Sequence, residues 1–296
     1  MRYYSISFLL LIIFMSLYFT ISCRAGSSET GKIEKDVIYG KADNADLKMD
    51  IYYPAEGTGN SPALIYVHGG AWIEGDKSSG VGIKYIPDLV KRGYLVASVN
   101  YRLAPKYKFP AQIEDVKCAV RFLRFNAKKY GINPEKIGAF GGSAGGHIVL
   151  LLGLSGSDKF NNSGGYEGQS SKVKAVVDLF GPSDLTVTFD KKGMKLIEEV
   201  FGTSDCNSEI LKSASPVSYI SSEDPPFLII HGEKDRVVQF SQSQELYDKL
   251  KKAGLDATLV RVKNAGHGFI AFGGKIDPSR EEIGVMIADF FDRSLK

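Results

Sequence analysis

This sequence of 296 residues has few cysteines and a small net charge. The three cysteines, Cys23, Cys118 and Cys206, include no pair with the C-x-x-C spacing of a metal site and are too few for a disulfide framework. Lysine and arginine total 37 against 34 for aspartate and glutamate, so the net charge is +3. An excess this small predicts no nucleic-acid interface. With 44% hydrophobic and 24% charged residues, the composition excludes a disordered chain and is typical of a globular protein.

The N-terminal segment has the layout of an export signal. Arg2 precedes an uncharged run that extends to Cys23 and is most apolar over residues 6–15. This order predicts a signal peptide over residues 1–22, which we exclude from the fold. A transmembrane anchor, which needs about 20 apolar residues, is the alternative. Either interpretation predicts an exported protein, periplasmic or attached to the cell envelope.

Residues 20–23 (TISC) resemble a bacterial lipoprotein cleavage box, in which a small residue precedes the cysteine. The resemblance implies that Cys23 is lipidated and becomes the mature N-terminus, with the polar residues 23–32 as a tether to a membrane. Thr20 stands where leucine is usual in such boxes, and ordinary signal cleavage nearby is the alternative.

Strand-like and helix-like segments alternate after residue 32. Several runs are apolar on both faces, which is typical of a parallel sheet covered by helices. Predicted strands lie at residues 33–39, 47–53, 63–67, 94–99, 136–140, 173–180, 227–230 and 257–262, and predicted helices at residues 112–130, 240–253 and 280–295. The alternation predicts one α/β domain over residues 33–296, with a mostly parallel central sheet and an antiparallel edge formed by the first two strands.

Residues 184–216 interrupt this alternation. The segment is long for a plain connection and shows only weak helical periodicity, around residues 194–201. It is either a small insertion that forms a lid or pocket wall, or a helix and loop without contact to a substrate.

The motif GGSAG at residues 141–145 lies between an apolar strand and an apolar helix. This is the context of the nucleophile elbow G-x-S-x-G, in which glycines let the neighbouring backbone approach a strained turn. The turn exposes the serine hydroxyl at the carboxyl edge of the sheet. The pattern predicts Ser143 as a nucleophile and the N–H group of Ala144, at the helix N-terminus, as an oxyanion donor.

A second glycine-rich turn, HGGAW at residues 68–72, follows another apolar strand. Backbone N–H groups in such a turn stabilise the oxyanion that forms when an acyl carbonyl is attacked. We expect Gly70 and Ala71 to act as donors beside Ala144, with Gly69 as the alternative.

A serine nucleophile needs a base, and the chain has four histidines. His267 lies between two glycines in a loop that follows a predicted strand, and we predict it as the base. We expect His68 to orient the turn that it begins, and His147 to pack behind the elbow. His231 ends a strand.

A carboxylate must orient the base and stabilise its imidazolium form. Asp235 lies in the loop after the strand at residues 227–230. The order Ser143, Asp235, His267 is that of α/β-hydrolases and differs from the chymotrypsin and subtilisin orders. Weaker competitors for this position are, in order, Glu233, Asp178 and Asp205.

With these residues the chain resembles a serine carboxylesterase of the α/β-hydrolase superfamily. It is similar to the hormone-sensitive-lipase-like group in HGGAW, in NYRLAP at residues 100–105, in FPA at residues 109–111 followed by Asp115, and in GGSAGG. Gly142 stands where that group has aspartate, and Ala71 stands where a third glycine is common. Both departures favour the bacterial acetyl-xylan and feruloyl esterase-like carboxylesterases, with the pattern HGGAW…GxSAGGH…D…GHGF.

The resemblance covers residues 47–296 and implies hydrolysis of carboxylic esters, with short-chain acyl or acetyl esters of small molecules or glycans as substrates. The implied two-step acyl transfer requires no metal and no organic cofactor. We expect Trp72 and residues 184–216 to form the walls of a small acyl pocket.

Other functions compete with this interpretation. A prolyl-oligopeptidase-like serine peptidase shares the pattern of the C-terminal part, but the residues between Cys23 and Leu47 leave no room for its propeller. A kynurenine-formamidase-like hydrolase shares the HGG-x-W turn, but an export signal fits it poorly. A non-catalytic binding protein on the same scaffold usually lacks a triad residue, and here all three are present.

Overall fold

The computed structural model describes residues 31–55, 59–161 and 164–296. The predicted signal peptide (residues 1–22), the lipidation of Cys23 and most of the predicted tether (residues 23–32) lie outside the described residues. Within the described ranges, no helix combines the length and the apolar character needed to cross a membrane.

Within the part of the chain that the structure describes, eight strands form one sheet. They are β1 (Ile33–Ala42), β2 (Ala45–Tyr52), β3 (Ser61–Val67), β4 (Leu95–Val99), β5 (Ile132–Gly142), β6 (Val176–Leu179), β7 (Phe227–Gly232) and β8 (Ala257–Val262). Their spatial order is β1-β2-β4-β3-β5-β6-β7-β8. The pairs β1–β2 and β2–β4 are antiparallel, and all other neighbours are parallel. The predicted parallel sheet with an antiparallel edge is therefore confirmed.

Helices pack on the two faces of the sheet. They are α1 (Ile86–Lys91), α2 (Ala111–Phe125), α3 (Ala127–Tyr130), α4 (Ala144–Leu154), α5 (Lys191–Phe201), α6 (Glu209–Ala214), α7 (Phe240–Lys252) and α8 (Arg280–Leu295). Alternate residues of β3 point to different apolar clusters. Ile65 and Val67 belong to the cluster that includes α2, α4 and α7, and Leu64 and Tyr66 belong to the one with α1 and α8. Burial on both faces explains why the strands read as continuous apolar runs.

The helix predicted over residues 112–130 is wrong at Asn126. Helix α2 ends at Phe125 because Asn126 leaves helical geometry (φ −95°, ψ 19°) and its side-chain Nδ2 donates to the carbonyl oxygen of Phe122 at 2.9 Å. The short helix α3 follows, and Gly131 (φ 64°) ends it in the left-handed conformation that is typical of a C-cap glycine. Helices α1 and α6 are not among the predicted elements.

The carboxyl ends of β3, β5, β7 and β8 lie at the same edge of the sheet, because these strands are parallel. Each strand is followed there by a segment that carries one of the predicted functional residues. The turn at residues 68–72 follows β3, Ser143 follows β5, Asp235 follows β7 and His267 follows β8. The fold therefore collects these residues at one edge, where open α/β sheets bind ligands.

Candidate active site

Ser143 forms the sharp turn between β5 and α4. Its backbone has φ 57° and ψ −123°, in a region that residues with a side chain rarely adopt. The turn is fixed from both sides, because the Ser143 N–H donates to Leu179 O at 2.9 Å and its carbonyl oxygen accepts from the His147 N–H at 3.0 Å. A Cβ atom on Gly145 would lie 2.2 Å from Val67 O, so only glycine permits this approach of α4 to β3.

The side chains of Ser143, His267 and Asp235 form one hydrogen-bonded chain. Nε2 of His267 lies 2.9 Å from Oγ of Ser143, and Nδ1 lies 2.7 Å from Oδ2 of Asp235. The imidazole is 25% exposed, whereas the carboxylate is fully buried. The ring of Phe180 packs edge-on against His267, with 4.8 Å between centroids. The arrangement runs from an accessible hydroxyl to a carboxylate shielded from water.

Backbone donors and two imidazoles surround the Asp235 carboxylate. Oδ1 accepts from the N–H groups of Val237 at 2.8 Å and Val238 at 3.0 Å. Burial alone raises the pKa of Asp235, but hydrogen bonds with His231 and His267 outweigh it and hold that pKa well below its usual range. The ionised Asp235 carboxylate accepts a hydrogen bond from the Nδ1–H group of His267. In this tautomer Nε2 carries no proton, so its lone pair faces the hydroxyl of Ser143.

The competing carboxylates have other partners. Glu233 accepts from the backbone N–H of Asn264 at 2.9 Å and supports the loop that carries His267. Asp178 is buried in β6, where Oδ1 accepts from the Gly181 N–H at 2.9 Å. Asp205 accepts from a backbone N–H two residues along the chain, at 3.0 Å. Asp235 is the carboxylate that the structure brings to His267.

The turn at residues 68–72 has left-handed backbone at Gly70 (φ 112°), Ala71 (φ 52°) and Trp72 (φ 62°). A Cβ on Gly70 would lie 2.1 Å from Glu74 O, so the turn requires glycine there. Among the described residues, no acceptor is paired with the N–H groups of Gly70 and Ala71.

Free donors from two segments border the same space. Ala144 begins α4, so its N–H group has no partner within the helix. Ala71 and Ala144 both line one cavity beside Ser143, and Gly70 and Ala71 line the adjoining cleft. Gly69 lines this cleft too and remains the alternative donor. The assignment of Gly70, Ala71 and Ala144 to an oxyanion hole stays a prediction.

His68 supports the turn that it begins. Its ring stacks on Tyr101, with 4.3 Å between centroids and 13° between planes. Nδ1 lies 2.6 Å from Gly69 O, and the hydroxyl of Tyr101 donates to His68 O at 3.1 Å. Burial lowers the pKa of His68, which favours the neutral ring.

Two spaces of unequal size meet at Ser143. The first, here called the apolar cavity, has a volume of about 90 Å³ and is lined mainly by Trp72, Pro182, Phe189, Leu196, Ile197 and Val238. The second, here called the open cleft, has a volume of about 580 Å³ and is lined by backbone of several glycines and by Glu74, Ser79, Val81, Phe180 and His267. Val237 borders both spaces.

Residues 184–216 contribute to the wall of the apolar cavity. Phe189, Leu196 and Ile197 from this segment border it. Helix α5 begins where the side chain of Asp190 accepts from the Gly193 N–H at 2.7 Å, and this cap fixes the helix beside the cavity. Trp72 lies on the wall as well and is 5% exposed.

Sequence reasoning missed several residues that line the site. Pro182, Val237 and Val238 border the apolar cavity, and Phe180 borders the open cleft. All four follow the carboxyl ends of β6 and β7, a position that indicates the edge of the site but not which side chains border each space. In the described ranges, no group of three or more His, Cys, Asp or Glu side chains is arranged to hold a metal ion.

The sequence is similar to one protein family and to known esterases. The sequence profile of the BD-FAE family matches residues 49–250. The esterase LipC of Mycobacterium tuberculosis is 31% identical over 259 residues, which cover 85% of this chain and 64% of LipC. The chain therefore spans less than two thirds of the length of this relative.

The fold is similar to solved structures of esterases. A truncated carbohydrate esterase from gut microbiota superposes with a TM-score of 0.76 at 29% identity, covering 90% of this chain and 97% of that protein. The propionate-bound esterase 2 of Thermogutta terrifontis superposes with a TM-score of 0.71 at 28% identity, covering 88% of this chain and 93% of the esterase.

Proposed function

Because the chain belongs to the BD-FAE family of α/β-hydrolases, we propose that it is a carboxylesterase that uses Ser143, His267 and Asp235 as a catalytic triad. The predicted α/β-hydrolase fold is confirmed by the same neighbours. The observation that carries the proposal is the continuous hydrogen-bonded chain from Oγ of Ser143 through the imidazole to the buried carboxylate. Esterases among the relatives support an ester as the substrate.

In the first step, Oγ of Ser143 attacks the ester carbonyl carbon while Nε2 of His267 takes the hydroxyl proton. The negative charge of Asp235 stabilises the imidazolium that results. The carbonyl oxygen becomes an oxyanion, which accepts hydrogen bonds from the N–H groups of Gly70, Ala71 and Ala144. A single donor of this kind typically lowers the barrier by about 2.7–4 kcal/mol.

The tetrahedral intermediate then collapses. The imidazolium of His267 returns its proton to the leaving alcohol oxygen, and the acyl group remains bonded to Oγ of Ser143. A water molecule takes the place of the alcohol and loses its proton to Nε2 of His267 as it attacks the acyl carbon. Collapse of the second intermediate releases the acid and restores the serine hydroxyl. These steps use no metal or organic cofactor.

The two spaces at Ser143 suit the two halves of an ester. The apolar cavity of about 90 Å³ holds the acyl group, and its volume favours acetyl and other short chains. The open cleft of about 580 Å³ holds the alcohol, which is a small molecule or a glycan. A carbohydrate esterase and a propionate-bound esterase among the structural neighbours support this division. Trp72 contacts the acyl group in this arrangement.

We also propose that residues 1–22 act as a signal peptide and that Cys23 carries a lipid anchor. The apolar run and the TISC box support this. The substrate is then an ester outside the cytoplasm.

The test is hydrolysis of 4-nitrophenyl acetate by the full chain and by Ser143→Ala. We expect the substitution to lower kcat by a factor on the order of 10⁴ or more. Equal rates for the two proteins would refute the proposal. A peptide 4-nitroanilide assayed in parallel distinguishes the peptidase alternative, because faster cleavage of that amide than of the ester would favour the peptidase.

A further inference from the structure

A buried histidine behind the elbow contacts the turn at residues 68–72. The indole Nε1–H of Trp72 donates to Nδ1 of His147 at 3.2 Å, and the rings meet edge-on with 5.2 Å between centroids. Nε2 of His147 lies 2.7 Å from Ala214 O at the end of α6, so it donates there. An imidazole that accepts at Nδ1 and donates at Nε2 is neutral. Burial lowers the pKa of His147 to about 4, in agreement with this state.

The backbone beside Trp72 needs support from its surroundings. Ala71 and Trp72 are successive non-glycine residues with left-handed φ, a strained conformation that persists only where neighbouring contacts enforce it. Trp72 provides those contacts, because its carbonyl oxygen accepts from the Ala104 N–H at 3.0 Å and its ring packs edge-on against Phe201 at 5.3 Å. The indole N–H bond to His147 completes this support.

His147 also lies in α4, the helix that begins with Ala144. The His147 N–H donates to Ser143 O at 3.0 Å, so this residue is tied to the elbow through its backbone and to the turn through its side chain. Trp72 and Ala71 share a peptide bond. The hydrogen bond between Trp72 and His147 therefore connects the two chain segments that supply the proposed oxyanion donors.

We propose that His147 is a positioning residue for ester hydrolysis: it holds Trp72, and through Trp72 the N–H groups of Gly70 and Ala71, at the distance from Ala144 that an oxyanion requires. This rests on the proposed esterase function and adds a residue to its machinery. Displacement of catalytic groups by about 1 Å costs on the order of 100-fold in rate, so the effect belongs in kcat.

The experiment compares His147→Leu, His147→Asn, Trp72→Phe and the double variant Trp72→Phe/His147→Leu with 4-nitrophenyl acetate. Leucine removes the acceptor, asparagine keeps an oxygen acceptor at the δ position, and phenylalanine removes the donor together with part of the indole ring, which also lines the apolar cavity. We expect kcat to fall about 10- to 100-fold in His147→Leu and in Trp72→Phe, with KM changed less than about threefold. We expect His147→Asn to recover most of kcat.

The double variant and an inhibitor sharpen the result. Both single substitutions remove the same hydrogen bond. We therefore expect the double variant to lose no more activity than the single variant with the larger loss. Binding of a trifluoromethyl ketone, whose serine adduct carries an oxyanion, weakens in parallel with kcat/KM. Ile148→Val, on the same helix, is the control for packing defects, and it lowers the melting temperature without lowering kcat.

Three results overturn the positioning role in a folded, active enzyme. They are an unchanged kcat in His147→Leu, losses that multiply in the double variant, and a His147→Asn variant as slow as His147→Leu. If His147→Leu fails to fold, Trp72→Phe and His147→Asn decide the question. If the unsubstituted protein shows no Ser143-dependent hydrolysis, the proposed function fails first, and the role of His147 fails with it.

Discussion

Nε2 of His231 lies 3.4 Å from Oδ2 of Asp235, the oxygen that also contacts His267. His231 is completely buried, with Nδ1 2.7 Å from Oγ of Ser243 and Nε2 2.9 Å from Val238 O. It cannot turn away from the carboxylate without breaking these bonds. The Asp235 side chain is therefore oriented by groups behind it as well as by the imidazole in front of it.

This environment makes Asp235→Asn a sharp test of the triad. Asparagine has the same shape, but its amide N–H₂ faces Nδ1 of His267 and favours the tautomer whose Nε2 carries the proton, which cannot act as a base. We expect kcat for 4-nitrophenyl acetate to fall by about 10³- to 10⁴-fold, with a cooperative thermal transition retained. A fall of less than tenfold would mean that another carboxylate orients the base.

Asp178 predicts an unusual pH dependence of stability. Burial raises its pKa to about 8, against the opposing effect of the Gly181 N–H, and among the described residues its Oδ2 has no hydrogen-bond partner. Between the unfolded pKa near 4 and about 8, the folded chain holds a proton that the unfolded chain has lost. The contribution of this group to stability therefore falls as pH rises through that range.

Asp178→Asn removes this titration and keeps Oδ1 as an acceptor for the Gly181 N–H. Between about pH 5 and about pH 9, we expect the free energy of unfolding of the unsubstituted protein to fall by a few kcal/mol relative to that of the variant. Urea unfolding at both pH values measures the difference. Parallel pH dependence in the two proteins would contradict the prediction.

A buried ion pair anchors the segment after β4. Asp115 is fully buried, and it accepts from the guanidinium of Arg102 at 2.7 and 2.9 Å and from the Arg102 backbone N–H at 2.8 Å. Asp115→Ala leaves the buried guanidinium without this partner, and we expect a loss of about 3–5 kcal/mol in urea unfolding. Asp289→Ala, which breaks a half-exposed pair with Arg92, should cost no more than about 1 kcal/mol. Similar losses in both variants would contradict this account.

The size of the apolar cavity predicts acyl preference. We expect kcat/KM for 4-nitrophenyl esters to be highest for acetate to butyrate and to decline for longer chains. Leu196→Ala removes bulk from the wall, so the ratio of kcat/KM for hexanoate over acetate should rise about tenfold. Val285→Ala, on exposed surface of α8, should leave that ratio unchanged. An optimum at long chains in the unsubstituted protein would count against the assignment of this cavity to the acyl group.

Much of the sheet was predictable because its strands are buried on both faces. The run at residues 63–67 is apolar throughout and ends at a glycine-rich turn, which marks both the strand and its carboxyl end. The sequence of a strand does not show which other strands lie beside it in the sheet. β3 lies between β4 and β5, and nothing in its composition specifies that order. Helix α2 was extended too far because the capping bond of Asn126 to Phe122 O is invisible in a hydrophobic pattern.

The polar residues of the site were easier to predict than its apolar ones. Ser143, Asp235 and His267 lie in motifs where the chemistry of ester hydrolysis requires a nucleophile, a carboxylate and a base. Val237 and Val238 have the same chemistry as core residues, and only coordinates show that they border the cavity. The bond between Trp72 and His147 joins residues 75 positions apart, and neither motif alone indicates that they meet.

The unequal spaces at Ser143 imply an asymmetry in what the protein discriminates. In the proposed esterase, the apolar side chains around the smaller space would select the acyl group, and the glycine-lined cleft would accept the alcohol that carried it. Such an enzyme would remove one kind of acyl group from many different alcohols. Its range of natural substrates would then be set by where that acyl group occurs.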